Sequence, residues 1–419
     1  MIQIPPAGRA RQRGFTLIEV MVSLIVTVIV LLGVLALFDF SNKLARVQTN
    51  ISDMQQSLRV AQTDAVRLIR MAGRGGLPLG TLPAGWAVAV SDNVAAGSHI
   101  GDGTTPEVVP GSDVLTIRGV LTSSIYQVNT ADPASFKFDN PAAPTSGKIH
   151  IRSTTPTAIP QDLTALKEAV QKSRPEALIL VSPQDAGVWA VVKLEPSSII
   201  TDPNDYEIHF TITPDYLKFS SAGAGIFPTT LKSAAYVGIV EEYRFYVRRA
   251  FAITGDDNSD LTPKLSRARV YPGTDTPWNG DIENWQADIA DNIFDLQIAL
   301  GLDAPAKDPA AAGCTGGTIA SDEINCGIYE AADGENDDWM YNGEKVTDPL
   351  SFANSDLHYV RLTTLARTDR RDKDYAAPTL VRVENNKYDT PDTSVFNSDT
   401  ERMYRRRILR TVIDMRNLG

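Results

Sequence analysis

Hydrophobic and polar positions follow three different patterns along this chain. From Val20 to Phe38 there are 19 residues without a charge, and only Ser23, Thr27 and Gly33 interrupt large apolar side chains or Ala. As a helix rising 1.5 Å per residue, this stretch spans roughly 28 Å, about the hydrocarbon thickness of a bilayer. Beyond it, Leu44, Val47, Ile51, Met54, Leu58, Ala61, Ala65, Leu68 and Ala72 recur at alternating intervals of three and four. That is an apolar stripe at the roughly 3.5-residue period of a helix packed along one seam. Gln55, Gln56, Arg59, Gln62, Asp64, Arg67 and Arg70 fill the other faces, which predicts a half-exposed helix. Gly73, Gly75, Gly76 and Pro78 end it. The stripe alone equally suits a self-associating coiled coil. Packing on the chain's own sheet is favoured because strand signals fill the rest of the sequence.

After Pro78 the pattern is mostly period two, bounded by Gly, Pro, Asp and Asn. It predicts strands over Trp86–Val90, Val114–Val120, Lys148–Arg152, Ala177–Val181, Val188–Leu194 and Glu207–Thr213. Further strands are expected over Val237–Arg249, Arg267–Tyr271, Phe294–Leu300, His358–Arg367 and Arg407–Arg416. In the longest run, Val237, Ile239, Tyr243, Phe245 and Val247 share one face and Arg244, Tyr246 and Arg248 the other. A half-buried antiparallel strand is the expectation. Short amphipathic helices fit Gln161–Lys172 and Ile282–Asn292, and Thr201–Asp205, Gly255–Asp260, Asp303–Gly317 and Asp389–Thr400 read as loops.

Charge divides the chain. Residues 1–74 carry nine basic against four acidic residues, a net of +5; the rest carry 31 against 47, a net of −16. The whole 419-residue chain is at −11, which argues against nucleic acid as the main partner, since phosphate binding needs basic surface. Two cysteines cannot build a disulfide framework or a Cys-rich metal site. Cys314 and Cys326 lie in one Gly-rich stretch, so a loop-closing disulfide is expected if the body leaves the cytoplasm; two free thiols are the alternative.

Arg9, Arg11 and Arg13 precede the apolar run and Asp39 follows it, an arrangement that keeps the N-terminus cytoplasmic and sends the body outward. A signal peptide would show a small-residue cleavage site after the run, but Leu35-Ala36-Leu37-Phe38 leads straight into Asp39. A plain signal anchor leaves Glu19 unexplained, because a carboxylate at the end of an apolar helix is costly without a partner. The residues Gly14-Phe15-Thr16-Leu17-Ile18-Glu19-Val20 resemble the processing site of type IV pilins and their relatives. That resemblance implies cleavage between Gly14 and Phe15 by a membrane prepilin peptidase and methylation of the new Phe15 amine. It also implies that Glu19 meets the Phe15 amine of a neighbouring subunit during filament assembly.

Several body segments resemble the PilW family of minor pilins. They are Arg70-Met71-Ala72-Gly73, Gly111-Ser112-Asp113-Val114-Leu115-Thr116-Ile117, Asn292-Ile293-Phe294-Asp295-Leu296-Gln297-Ile298 with Gly301-Leu302-Asp303, Tyr359-Val360-Arg361-Leu362, and the ending from Tyr404-Arg405-Arg406 to Met415-Arg416-Asn417. The resemblance implies an α+β fold: a long N-terminal helix, membrane-spanning in its first half, packed on a large antiparallel β-rich body. The divisions are a leader at 1–14, a transmembrane or filament-core helix at 15–38, an amphipathic continuation at 39–76 and the body at 77–419. The setting implied by the resemblance is the inner membrane with the body in the periplasm, then a pilus, at its tip. Implied partners are the prepilin peptidase, the major pilin, other minor pilins and a large tip adhesin. A minor pseudopilin of a type II secretion system shares the same N-terminal logic.

Candidate chemistry is sparse. His99, His150, His209 and His358 show no metal-ligand spacing, and no nucleophile elbow, Walker A or Rossmann glycine pattern occurs. No cofactor is expected, with calcium the one candidate: Asp256-Asp257-Asn258-Ser259-Asp260 and Asp333-Gly334-Glu335-Asn336-Asp337-Asp338 both place oxygen ligands close together. The second is the better candidate, through Asp333, Glu335, Asp337 and Asp338, although a solvated acidic turn is favoured over both. Arg405-Arg406-Arg407, ahead of alternating Leu409, Thr411, Ile413 and Met415, reads as the exposed entry to the last strand. A rival of another class is a membrane-anchored periplasmic enzyme or binding module, which would show a pocket with convergent polar groups.

Overall fold

The computed structural model describes residues 15–79, 87–100, 107–128, 130, 133–152, 163–195, 200–202, 205–250, 262–278, 285–303, 339–341, 356–388 and 397–415. Two compact units divide at Asp53, residues 1–53 and 54–419.

Helix α1 runs over Leu17–Ile69, 53 residues, or about 80 Å at 1.5 Å per residue. Its side chains are exposed from Leu17 to Arg46, and burial begins in earnest at Met54. Met54, Leu58, Ala61, Ala65, Leu68 and Ile69 then enter the main core with Leu115, Ile117, Phe245, Ile298, Leu362 and Ile413. The apolar stripe therefore packs on the chain's own sheets from Met54 onward, while Leu44 stays 48% exposed. Gln62 departs from the expected exposed face. It is buried, donating from Nε2 to Leu409 O at 2.9 Å and accepting from Thr411 Oγ1 at 2.5 Å, because the helix lies across the last strand there.

The helix ends at Ile69 rather than near residue 76, and turns follow it. Gly73 has φ +80 and its N–H donates to Arg118 O at 3.0 Å; a Cβ there would meet Leu77 O at 2.7 Å. Only glycine adopts that conformation so close to another backbone without strain. The stop thus docks the chain directly onto the strand Val114–Gly119.

All strand pairings in the body are antiparallel. The main path of a 12-stranded sheet runs Val88–Ser91, Val114–Gly119, Tyr236–Arg248, Ala177–Val181, Trp189–Leu194, Asp205–Thr211, Ser146–Arg152, Phe136–Phe138. Lys264–Val270 and Ile125–Gln127 also pair Tyr236–Arg248, Gln286–Asp291 pairs Lys264–Val270, and Ile200–Asp202 pairs Asp205–Thr211. A four-stranded sheet runs Trp339–Met340, Ile293–Asp303, Asp356–Arg367, Arg406–Asp414. Arg382–Val383 and Asn386–Lys387 form a small hairpin. Helix α2, Thr164–Gln171, buries Leu166 and Ala169 in a second core with Ile149, Leu178, Leu180, Val192, Phe210, Val237 and Ile239. Long apolar helix followed by antiparallel β body is an α+β, type IV pilin-like architecture.

Three expectations need correction. The helix expected over Ile282–Asn292 gives way at Gln286–Asp291 to a strand, whose register with Lys264–Val270 shifts between Leu265 and Ser266. Thr201–Asp205 is not wholly loop, because Ile200–Asp202 and Asp205–Thr211 pair. Tyr236–Arg248 is not half-buried, since most residues on both of its faces are covered. Val237 and Ile239 enter the second core, while Tyr243, Phe245 and Val247 enter the main one. Tyr246, on the face with Arg244 and Arg248, fills a third cluster with Val108, Ala268 and Trp285. Glu241 and Glu242 are also buried, sustained by Arg269 and Thr122 and by Arg118 and Arg244 respectively.

Candidate functional site

The N-terminal end of α1 holds two of the three residues singled out for processing and assembly; Gly14 lies outside the described residues. Phe15 is 87% exposed immediately before the helix. Thr16 is the N-cap residue: its Oγ1 accepts from Glu19 N–H at 3.4 Å, a long bond, while Glu19 Oε2 accepts from Thr16 N–H and Thr16 Oγ1, both at 2.9 Å. Thr16-Leu17-Ile18-Glu19 is therefore a capping box, in which two otherwise unpartnered backbone N–H groups are satisfied reciprocally. Glu19 thus has a partner within its own chain, one that the S/T-x-x-E spacing of the sequence signals. Glu19 Oε1 accepts no hydrogen bond among the described residues, so it remains open to a second donor.

From Val20 to Phe38 the helix offers little but apolar surface. Mean hydropathy reaches 3.1 in the most apolar window, and no residue of that window is buried within the chain. Among the described residues, this is one helix long and apolar enough to cross a membrane. A helix that is apolar all round needs lipid or other helices about it.

The body motifs converge on one another. Asp113 N–H donates to Leu296 O at 2.8 Å, Ile298 N–H donates to Asp113 Oδ2 at 2.7 Å, and Gln297 Nε2 donates to Gly111 O at 2.8 Å. The Gly111–Ile117 segment thus closes on the Asn292–Ile298 segment, joining the large sheet to the four-stranded one. Ile298, Ala299, Leu300 and Gly301 pair in turn with Leu362, Arg361, Val360 and Tyr359. Behind this seam Asp295 accepts from Gln297, Asn386 and the Tyr388 hydroxyl. Burial raises the Asp113 carboxyl well above the usual range. It also pushes Asp295 to about 6, against the lowering pull of its donors, the Tyr388 hydroxyl first. Segments individually weak in sequence form one buried seam.

His150 and His209, read as structural, meet at one carboxylate. Glu207 lies 3.1 Å from His150 Nε2, 2.6 Å from His209 Nε2 and 3.0 Å from Lys148 Nζ. Its carboxyl is held down at about 2, first by His209 and then by Lys148. Among the described residues no group of three His, Cys, Asp or Glu side chains is arranged to hold a metal. A surface cleft of about 270 Å³ is lined by Phe138, Phe227, Pro228 and Leu231, with Lys232 and two threonines as its polar side chains. Cys314, Cys326, Asp333, Glu335, Asp337, Asp338 and the loop at Asp256–Asp260 lie outside the described residues.

Residues 9–35 match the family model described as the prokaryotic N-terminal methylation motif. No curated protein sequence and no solved structure matches the chain. A prepilin-type motif at the head of an apolar helix, followed by an antiparallel β body, supports a type IV pilin or pseudopilin. It also points to membrane anchoring before assembly.

Proposed function

We propose that this chain is a PilW-like minor pilin, a structural rather than enzymatic subunit that primes a type IV pilus and is incorporated near its tip. The observation carrying this reading is the methylation motif set directly on a capped helix whose apolar surface none of the described residues covers. Cleavage after Gly14 by the prepilin peptidase leaves that helix on the mature protein, and its Phe15 amine is methylated. With the body in the periplasm, the helix leaves the inner membrane by packing among the helices of the major pilin and other minor pilins. Glu19 sets register there: Oε2 holds its own cap while Oε1 accepts a neighbour's Phe15 amine, an attraction stronger in a low-dielectric surround than in water. The seam joining Gly111–Ile117 to Asn292–Ile298 favours the minor-pilin reading over a pseudopilin, because it unites segments with PilW-like sequence. A large tip adhesin is the further partner this role implies.

Mass spectrometry of the mature chain should find methylated Phe15 at its start. Glu19→Ala should still be cleaved, yet its amount in sheared surface filaments, normalised to the membrane pool, should fall at least about tenfold. Equal ratios for variant and parent would remove Glu19 from assembly. A mature chain retaining residues 1–14 would remove the pilin reading altogether.

A further inference from the structure

The strand Arg406–Asp414 forms one edge of the four-stranded sheet, and its register with Asp356–Arg367 runs without a bulge from Tyr359–Asp414 to Arg367–Arg406. Met415 N–H donates to His358 O, and Thr368 N–H donates to Arg405 O. In an antiparallel ladder this alternation turns the backbone of odd-numbered residues inward and of even-numbered ones outward. The outward N–H and C=O groups of Ile408, Arg410 and Val412 have no hydrogen-bond partner among the described residues. Ile408 and Val412, on the same face, are 41% and 53% exposed.

An edge of this kind is usually blunted by proline, a bulge, shortness, an inward charge or charged side chains along it. Here nine regular residues carry only the last, Arg406, Arg407 and Arg410 against Asp414, which repel a basic strand but not an acidic one. Arg410 Nε lies 2.9 Å from Glu384, while Arg407 is exposed and makes no ion pair among the described residues. This basic edge belongs to a body whose net charge is −16. We propose that it receives an extended acidic segment of another protein as an added strand, with apolar side chains beside Ile408 and Val412 and a carboxylate beside Arg410. Main-chain hydrogen bonds supply the affinity of such a contact and alternate side chains its specificity. A second copy of this chain fits poorly, because it would bring an edge with Arg406, Arg407 and Arg410 against the same three cations.

The probe is a short synthetic peptide alternating Thr with Val and Glu, added to the full chain in detergent micelles. Amide hydrogen exchange at Ile408, Arg410 and Val412 should slow about tenfold or more, as new ladder bonds require. The same peptide with Lys for Glu should protect them far less. Val412→Pro, which deletes an outward N–H, and Ile408→Glu, which leaves the backbone unaltered, should each weaken peptide binding about tenfold. Protection equal for both peptides, absent for the Glu peptide, or appearing without peptide as protein concentration rises would each overturn the proposal.

Discussion

Between Leu17 and Arg46, helix α1 exposes its whole circumference; between Met54 and Ile69 it buries one stripe beneath two sheets. The backbone geometry is the same in both. What differs is the environment each half needs. The first half has apolar side chains on every face, so its energy is decided by lipid or by neighbouring helices rather than by the folded body. The second half has Arg59, Thr63 and Arg67 facing outward, with Leu58 and Leu68 inward, so its energy is part of the body's stability. One helix thus serves two cooperative systems, and substitutions in its halves should separate them.

The widest separation comes from truncating one leucine in each half. Leu58→Ala removes a side chain only 1% exposed and should cost about 3 kcal/mol, read as a fall in the thermal midpoint of the body. Leu32→Ala, at a position 60% exposed within the chain, should leave that midpoint unchanged. A similar fall for both would mean that the halves form one cooperative unit.

Acidification tests the body alone and has a definite sign. Asp295 titrates near 6 in the fold against an ordinary value of 3.8, so the folded state favours its neutral form. The folded body binds more protons between those limits, and stability therefore falls as pH rises from about 4 to about 6. Asp113, raised by burial, acts in the same direction. Together they should make the body more stable at pH 5 than at pH 7.5, with Asp295 contributing on the order of 1–1.5 kcal/mol of that difference. Glu207, held at about 2, has the opposite sign: its contribution is present above 4.5 and is lost as pH falls toward 2. Thermal scans of Asp295→Asn should show a weaker rise between pH 7.5 and pH 5. An unchanged rise would take Asp295 out of the account.

These buried acids mark where sequence reading runs out. Ala177–Val181 was legible to the residue because it is an apolar run of strand length, and the structure puts alternate side chains into the two cores. Gly73 and the apolar run beginning at Val20 were legible for equally local reasons. Gln286–Asp291 was not: a register shift breaks its two-residue period, and Ile282, Trp285, Ile289 and Asn292 imitate helical spacing. Asn292 instead takes a left-handed φ of 59 between two strands, which Asn tolerates better than most residues. No local pattern marks Glu241 and Glu242 as buried, because Arg118 and Arg269, which help sustain them, lie on other strands. At the candidate site, Phe15 and Glu19 were visible as a pattern, whereas the reciprocal bonds of Thr16 and Glu19 required the motif to be read as a cap.

A smaller effect should come from Gln62, where the packed half carries a polar group on its inner face. Gln62→Leu preserves most of the volume but leaves the Thr411 hydroxyl without its partner at Gln62 Oε1. Leu409 O keeps Thr364 Oγ1 at 3.4 Å as a weak donor beside its ladder bond. The expected cost is about 1–2 kcal/mol, the usual penalty for stranding a buried polar group. No loss of thermal midpoint would show that the apolar stripe alone fixes the helix on the last strand.

The smallest effect on the body, and the sharpest on the other half, is expected from Thr16→Ala. Thr16 Oγ1 is both acceptor for Glu19 N–H and donor to Glu19 Oε2, so the substitution removes the side-chain half of the capping box and keeps the Thr16 N–H bond. Loss of an N-cap hydroxyl costs a helix terminus about 1 kcal/mol, and the loss falls off within the first turn. That turn lies more than thirty residues before Met54, where burial on the body begins, so the body's thermal midpoint should not move. Amide exchange at Ile18 and Glu19, followed in micelles on the full chain, should instead quicken about fivefold, while exchange at Leu58 and Ala61 stays as it was. Thr16→Ser, which retains the hydroxyl, should restore slow exchange and so distinguish a cap from mere loss of side-chain bulk. If exchange at Ile18 and Glu19 is unaltered in Thr16→Ala, the reciprocal bonds do not hold the first turn, and Glu19 is again a carboxylate in need of a partner from another subunit.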